Sequence, residues 1–182
     1  MVGDEPVRRV CLIGFMGAGK TTVGKALARR LGWTFQDLDE VVERRQGKPV
    51  ATIFAEDSEA EFRRLESVAL EDVVNGKVAG GNLVVALGGG AFVQSHNRRL
   101  LQKPGVITVL LDAPLRELQR RCAGERNTRP LARDEKEFAQ LFASRRAAYE
   151  LAQVRVATMN KPVEQVAAEI EQIVAADIRP EA

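Results

Sequence analysis

Gly14-Phe15-Met16-Gly17-Ala18-Gly19-Lys20-Thr21 fills every fixed position of the pattern G-x-x-x-x-G-K-[ST]. An apolar run, Val10-Cys11-Leu12-Ile13, leads into it, and a helix-like stretch leaves it. A glycine-rich turn in that place aims backbone N–H groups at a polyphosphate, and the positive end of the helix dipole reinforces them. Lys20 adds a point charge within reach of the β and γ phosphates, and the Thr21 hydroxyl is a hard oxygen suited to Mg²⁺. The competing reading is an ordinary glycine-rich turn without a ligand. The complete pattern in its strand-to-helix setting favours a nucleoside triphosphate.

Five further groups carry chemistry. Asp37-Leu38-Asp39 ends a second apolar run, and strand periodicity would aim both carboxylates one way. One carboxylate near Mg²⁺ and one near an acceptor hydroxyl suit phosphoryl transfer; Asp39 could equally cap a helix. Gly88-Gly89-Gly90 follows a third apolar run, where a small substrate could lie on bare backbone or the chain could merely turn. Arg63 and Glu66, three residues apart, flank the buried side of a helix. Arg63 could grip a carboxylate with its two-pronged guanidinium, or be a solvated partner of Glu66. Arg145, one turn before Tyr149, is a similar candidate. The segment Arg120–Asp134 is dense in arginine and interrupted by Gly124 and Pro130. Beside a triphosphate it reads as a mobile lid, and otherwise as a solvated charged loop. His96, the only histidine, reads as a helix-surface residue; no Cys/His cluster suggests zinc.

These groups need elements to hold them. Strands are expected at Arg9–Ile13, Thr34–Asp37, Leu83–Leu87, Val106–Leu111 and Arg155–Thr158. The third and fourth are nearly continuous Val, Leu and Ile, as in parallel strands covered on both faces. Helices alternate with them. One runs from the phosphate loop to Leu31 and stops at Gly32. Another opens at the capping box Ser58-Glu59-Ala60-Glu61 and ends at Asn75-Gly76. Two more are expected at Phe138–Leu151 and, after Pro162, Val163–Val174. The alternation predicts an α/β doubly wound parallel sheet. Asp37–Glu66 is a long excursion from that rhythm, and Met1–Arg8 and Ala175–Ala182 read as frayed ends.

The whole chain narrows the function classes. Its 182 residues suit a single domain, residues 1–182, and 27 Lys plus Arg against 25 Asp plus Glu leave a net charge of +2. That balance, without a basic block interleaved with aromatics, argues against a nucleic-acid partner. No apolar stretch approaches the ~20 residues a membrane helix needs. Two cysteines, Cys11 and Cys122, make no disulfide framework, so the reducing cytoplasm is the expected setting.

Taken in order, GFMGAGKTT, FQDLD, EFRRLE, ALGGGAF, NTRPL and Arg145-x-x-x-Tyr149 resemble the shikimate kinases over roughly Arg9–Ile170. The resemblance implies a three-layer P-loop fold with five parallel strands ordered second–third–first–fourth–fifth, flanked by helices and carrying an Arg-rich lid. It implies ATP-dependent phosphorylation of the shikimate 3-hydroxyl, in aromatic amino-acid biosynthesis, by a monomer requiring Mg²⁺. Carried over by position, Gly17, Ala18, Gly19, Lys20, Thr21 and Thr22 would bind the phosphates. Thr21 would ligate Mg²⁺ directly, and Asp37 through water. Asp39 would engage the acceptor hydroxyls and take the proton. Arg63 and Arg145 would hold the carboxylate, with Gly88, Gly89 and Gly90 lining the ring. Arg129 would meet the transferring phosphate, and Arg121 with Asn160 and Pro162 would hold adenine. The sequence departs from the family pattern in lacking proline before Tyr149, in reading RPLA in the lid, and in Ala157, where aspartate is common. A gluconate-type P-loop kinase and a nucleotide-binding regulatory module are the competing readings.

Overall fold

The computed structural model of the chain describes residues 7–123 and 135–178. Five strands form one parallel sheet: β1 (Arg9–Ile13), β2 (Thr34–Asp37), β3 (Leu83–Ala86), β4 (Val106–Asp112) and β5 (Val154–Ala157), in the order β2-β3-β1-β4-β5. Every residue of β1 and β3 is buried, as is all of β4 but Asp112, whereas β2 and β5 at the edges are partly exposed. This is the burial that unbroken Val/Leu/Ile runs predict for strands covered on both sides. The register pairs Leu12 with Ala86 and Ile13 with Leu110. The carboxyl ends of the central strands therefore finish side by side, in the crevice where ligands of such sheets bind. Strand bounds shift slightly from expectation: β3 stops at Ala86, β4 gains Asp112, and β5 runs one residue earlier.

The eight α-helices among the described residues are α1 (Lys20–Leu31), α2 (Leu38–Gln46), α3 (Val50–Glu56), α4 (Glu59–Val74), α5 (Ser95–Leu100), α6 (Leu115–Ala123), α7 (Glu135–Tyr149) and α8 (Val163–Ile178). α1 packs on α8 and on β2 and β3, and α8 also packs on β5. Gly32 ends α1 in the left-handed conformation, φ 67°, which a residue without Cβ adopts freely. Ser58 caps α4 by accepting the Glu61 N–H at 3.1 Å. The Glu61 carboxylate turns instead to Arg64, at 2.6 and 2.9 Å, so only half of the capping box forms.

Three expectations are corrected. The excursion Asp37–Glu66 is itself helical, made of α2, α3 and the start of α4. α7 begins before Phe138 and ends at Tyr149, leaving Leu151 64% exposed beyond it. Residues 1–6 and 179–182 lie outside the described residues, but parts of the expected frayed ends are ordered: α8 continues to Ile178, and Arg8 donates to Asp177 at 3.0 Å. Next to it Arg9, 2% exposed, donates to the carbonyls of Val73 at 3.0 Å and Gly81 at 2.7 Å. That pins the end of α4 to β1. Among the described residues no helix is long and apolar enough to cross a membrane.

Candidate active site

The phosphate loop follows β1 and closes onto the first turn of α1. Gly17 and Gly19 hold φ of 78° and 92°, a region other residues enter only under strain. At Gly17 space is also short: a Cβ would lie 2.9 Å from Cys122 Sγ and 3.0 Å from the Leu118 carbonyl. Ala18 is buried and Thr22 exposed. Lys20 Nζ donates to the carbonyls of Gly14 at 2.8 Å and Phe15 at 3.1 Å, folding back over the loop. Thr21 Oγ1 donates to Asp37 Oδ2 at 3.0 Å. A hydroxyl beside a carboxylate is a donor set that fits Mg²⁺, which fills its remaining positions with water and phosphate oxygens. Among the described residues no cluster of three or more His, Cys, Asp or Glu offers an all-protein metal cage.

The two aspartates do converge, but not by strand alternation. β2 ends at Asp37, which caps α2 by accepting the Asp39 N–H at 3.1 Å. The cap therefore belongs to Asp37, and Asp39 lies in the first helical turn. Asp39 Oδ1 is buried and has no hydrogen-bond partner. Burial pushes its pKa above the usual aspartate value, with the Asp37 charge adding to the rise and Lys20 and Arg63 opposing it.

Glu66 is the residue most misjudged from sequence. It does not flank the buried side of α4; it lies within it, 0% exposed. The buried set Phe62, Glu66, Ala69, Leu70 and Val73 has the i, i+4 and i, i+3 spacing of one helix face. That spacing was visible in the sequence, but reading glutamate as polar surface hid it. Glu66 Oε2 accepts from Arg63 Nη1 at 2.8 Å and from Gln94 Nε2 at 3.4 Å, while Oε1 has no partner. Burial raises its pKa against the pull of Arg63, and Asp39 raises it further. Both unpartnered oxygens face Gly88, where a Cβ would stand 2.5 Å from Glu66 Oε1 and 2.8 Å from Asp39 Oδ1.

The next two glycines seat the two arginines. A Cβ on Gly90 would fall 2.4 Å from Arg63 Cζ, and one on Gly89 would fall 3.0 Å from Arg145 Nη1. Arg63 lies 5.2 Å from the Phe62 ring centroid and Arg145 5.8 Å from that of Phe15. The Tyr149 hydroxyl donates to the Gly89 carbonyl. Guanidinium groups from α4 and α7 thus meet over adjacent residues of one strand end, with a buried carboxylate beside them. Paired guanidinium groups can hold an anion by charge-assisted hydrogen bonds, and a carboxylate beside them can accept from a hydroxyl.

On the far side of the phosphate loop, Arg121 donates to Gly17 O at 3.2 Å, to Thr158 Oγ1 at 3.3 Å and to Thr158 O at 3.2 Å. Asn160, on the connection between β5 and α8, is exposed and left-handed at φ 57°. Of the expected lid, Arg120–Ala123 is instead the last turn of α6, with Cys122 buried. The rest of it, Arg129 included, lies outside the described residues.

The profile of the shikimate kinase family matches residues 16–175. A shikimate kinase from Persephonella marina is 39% identical over 164 residues, spanning 90% of this chain and 97% of its own. The solved shikimate kinase from Acinetobacter baumannii, in complex with shikimate, superposes with a TM-score of 0.84 at 34% identity, covering 95% of this chain and 96% of that one. A gluconokinase from Sinorhizobium meliloti reaches a TM-score of 0.59 at 17% identity, covering 93% and 97%. That last likeness is one of fold alone.

Proposed function

Because the chain belongs to the shikimate kinase family, we propose that its site transfers the γ-phosphoryl group of ATP to the 3-hydroxyl of shikimate, giving shikimate 3-phosphate and ADP. The observation that carries this for the chain's own residues is the seating of Arg63 and Arg145 at consecutive glycines beside Asp39. Each guanidinium presents a fork that matches a carboxylate, and the bare backbone of Gly88, Gly89 and Gly90 lets a flat ring approach closely. Asp39 Oδ1, buried and lacking a donor, accepts from the acceptor hydroxyl and takes its proton as the oxygen attacks. Its raised pKa makes it a stronger base than an ordinary aspartate.

Gly17, Ala18, Gly19, Lys20, Thr21 and Thr22 bind the phosphates, and Lys20 exchanges loop carbonyls for phosphate oxygens. Thr21, with Asp37 through water, would hold Mg²⁺, which when bound neutralises charge on the β and γ phosphates. Arg121 and Asn160 flank the adenine. We take the enzyme to act as a one-domain monomer. Cys11 and Cys122, both buried and outside any disulfide, suit a reducing cytoplasm.

ADP release with ATP and Mg²⁺, measured against shikimate, gluconate and neutral polyols, tests the reading. Turnover with shikimate alone is the expected result. Turnover with gluconate but not shikimate would replace it with the rival kinase, and none with any acceptor would leave a regulatory nucleotide-binding module.

A further inference from the structure

Tyr149 is the single tyrosine of the chain and is 4% exposed. It closes α7 one turn beyond Arg145, and its hydroxyl reaches across to the Gly89 carbonyl. The same glycine lies under Arg145: a Cβ there would stand 3.0 Å from Arg145 Nη1 and 3.7 Å from Tyr149 Oη. One residue of the strand end therefore carries two contacts from consecutive turns of one helix.

Three glycines in a row have no side chains with which to fix their own orientation, and each is free over most of φ/ψ space. The flanking carbonyls are held locally, Gly88 O by the Ala91 N–H at 3.0 Å and Gly90 O by the Val93 N–H at 3.2 Å. Gly89 O is held from another element. A peptide unit is planar and trans, so fixing the Gly89 carbonyl also fixes the Gly90 N–H, which points the opposite way. The tyrosine that donates the bond to Gly89 O is 4% exposed, and away from water a hydrogen bond is stronger and its loss more costly. Burial also raises the phenol pKa, with Arg145 pulling it back, so the hydroxyl keeps its proton and stays a donor.

We propose that Tyr149 is a positioning residue for the phosphoryl acceptor: its hydroxyl locks the Gly89–Gly90 peptide and moors α7, so that Arg145 and the glycine backbone present one rigid face to the substrate. The proposal rests on the reading of the site as an acceptor pocket for shikimate. It assigns the tyrosine no contact with substrate and no proton transfer. A tyrosine that merely stitched α7 to the sheet would support both substrates alike; this one acts on the acceptor alone.

The test is Tyr149→Phe, which keeps the ring and removes the one donor. The KM for shikimate is expected to rise roughly three- to tenfold, the cost of one buried hydrogen bond, with the KM for ATP unchanged. An unchanged KM for shikimate, or a parallel rise for both substrates, would overturn the proposal. A second readout keeps the hydroxyl in place. Protein made with fluorotyrosine carries its label at one position, so its fluorine NMR spectrum has one resonance to follow. Shikimate without nucleotide should shift it, and a resonance indifferent to shikimate would also overturn the proposal. Failure of the underlying reading is distinguishable, because a wild-type enzyme that ignores shikimate is seen before any variant is made.

Discussion

Gly88 sets the scale of tolerance at this site, since two carboxylate oxygens occupy the space that a Cβ there would need. Gly88→Ala would drive a methyl into Glu66 Oε1 and Asp39 Oδ1, at 2.5 and 2.8 Å. Gly90→Ala would instead displace the Arg63 guanidinium, at 2.4 Å. The account predicts that steady-state kinetics separate the two: Gly88→Ala lowers kcat about tenfold or more by misplacing the base, and Gly90→Ala chiefly raises the KM for shikimate. Glu66 yields a pH prediction. Its folded pKa is raised, so the folded state holds the proton more tightly than the unfolded state. The associated stability is complete below the ordinary glutamate value of 4.5 and is lost as pH rises through the folded value. Glu66→Gln, neutral throughout, should melt higher than wild type at pH ~7. The gap should close as the buffer falls below 4.5. The KM for shikimate should rise at the same time, because Arg63 loses its buried anion.

Elements, not isolated residues, bring the functional groups together, and here sequence legibility was uneven. The phosphate loop was readable because its pattern and its strand-to-helix setting are both local. The approach of Asp39 to Asp37 was expected for a reason that did not hold: capping geometry, with Asp37 accepting the Asp39 N–H, does what strand alternation was thought to do. The burial of Glu66 is hard to read from sequence because the polarity of a glutamate argues against what its helical spacing indicates. Gln94 and Thr158 entered the site unannounced, since their partners are distant in sequence. α6 offers the test at this scale. Glu117, hydrogen-bonded to Arg120 and Arg121, has its pKa held down to about 2. Its contribution to stability is therefore present above 4.5 and lost as pH falls through about 2. Glu117→Gln should loosen Arg121 from the phosphate loop and Thr158, raising the KM for ATP while sparing that for shikimate.

For the whole molecule, the sheet was the most legible feature: unbroken apolar runs could only be strands covered on both faces, and their alternation with helices imposed parallel pairing. What the runs could not give is how α4 and α7 converge on one strand end, since no local pattern encodes the seating of Arg63 and Arg145 at adjacent glycines. That convergence is the central claim, and a double-mutant cycle on shikimate affinity tests it most directly. Calorimetric dissociation constants for wild type, Arg63→Ala, Arg145→Ala and the double variant should show each single change weakening binding about tenfold or more, with the double weaker by less than the product. Effects that multiply independently, or a single variant that binds shikimate as wild type does, would contradict a shared carboxylate site.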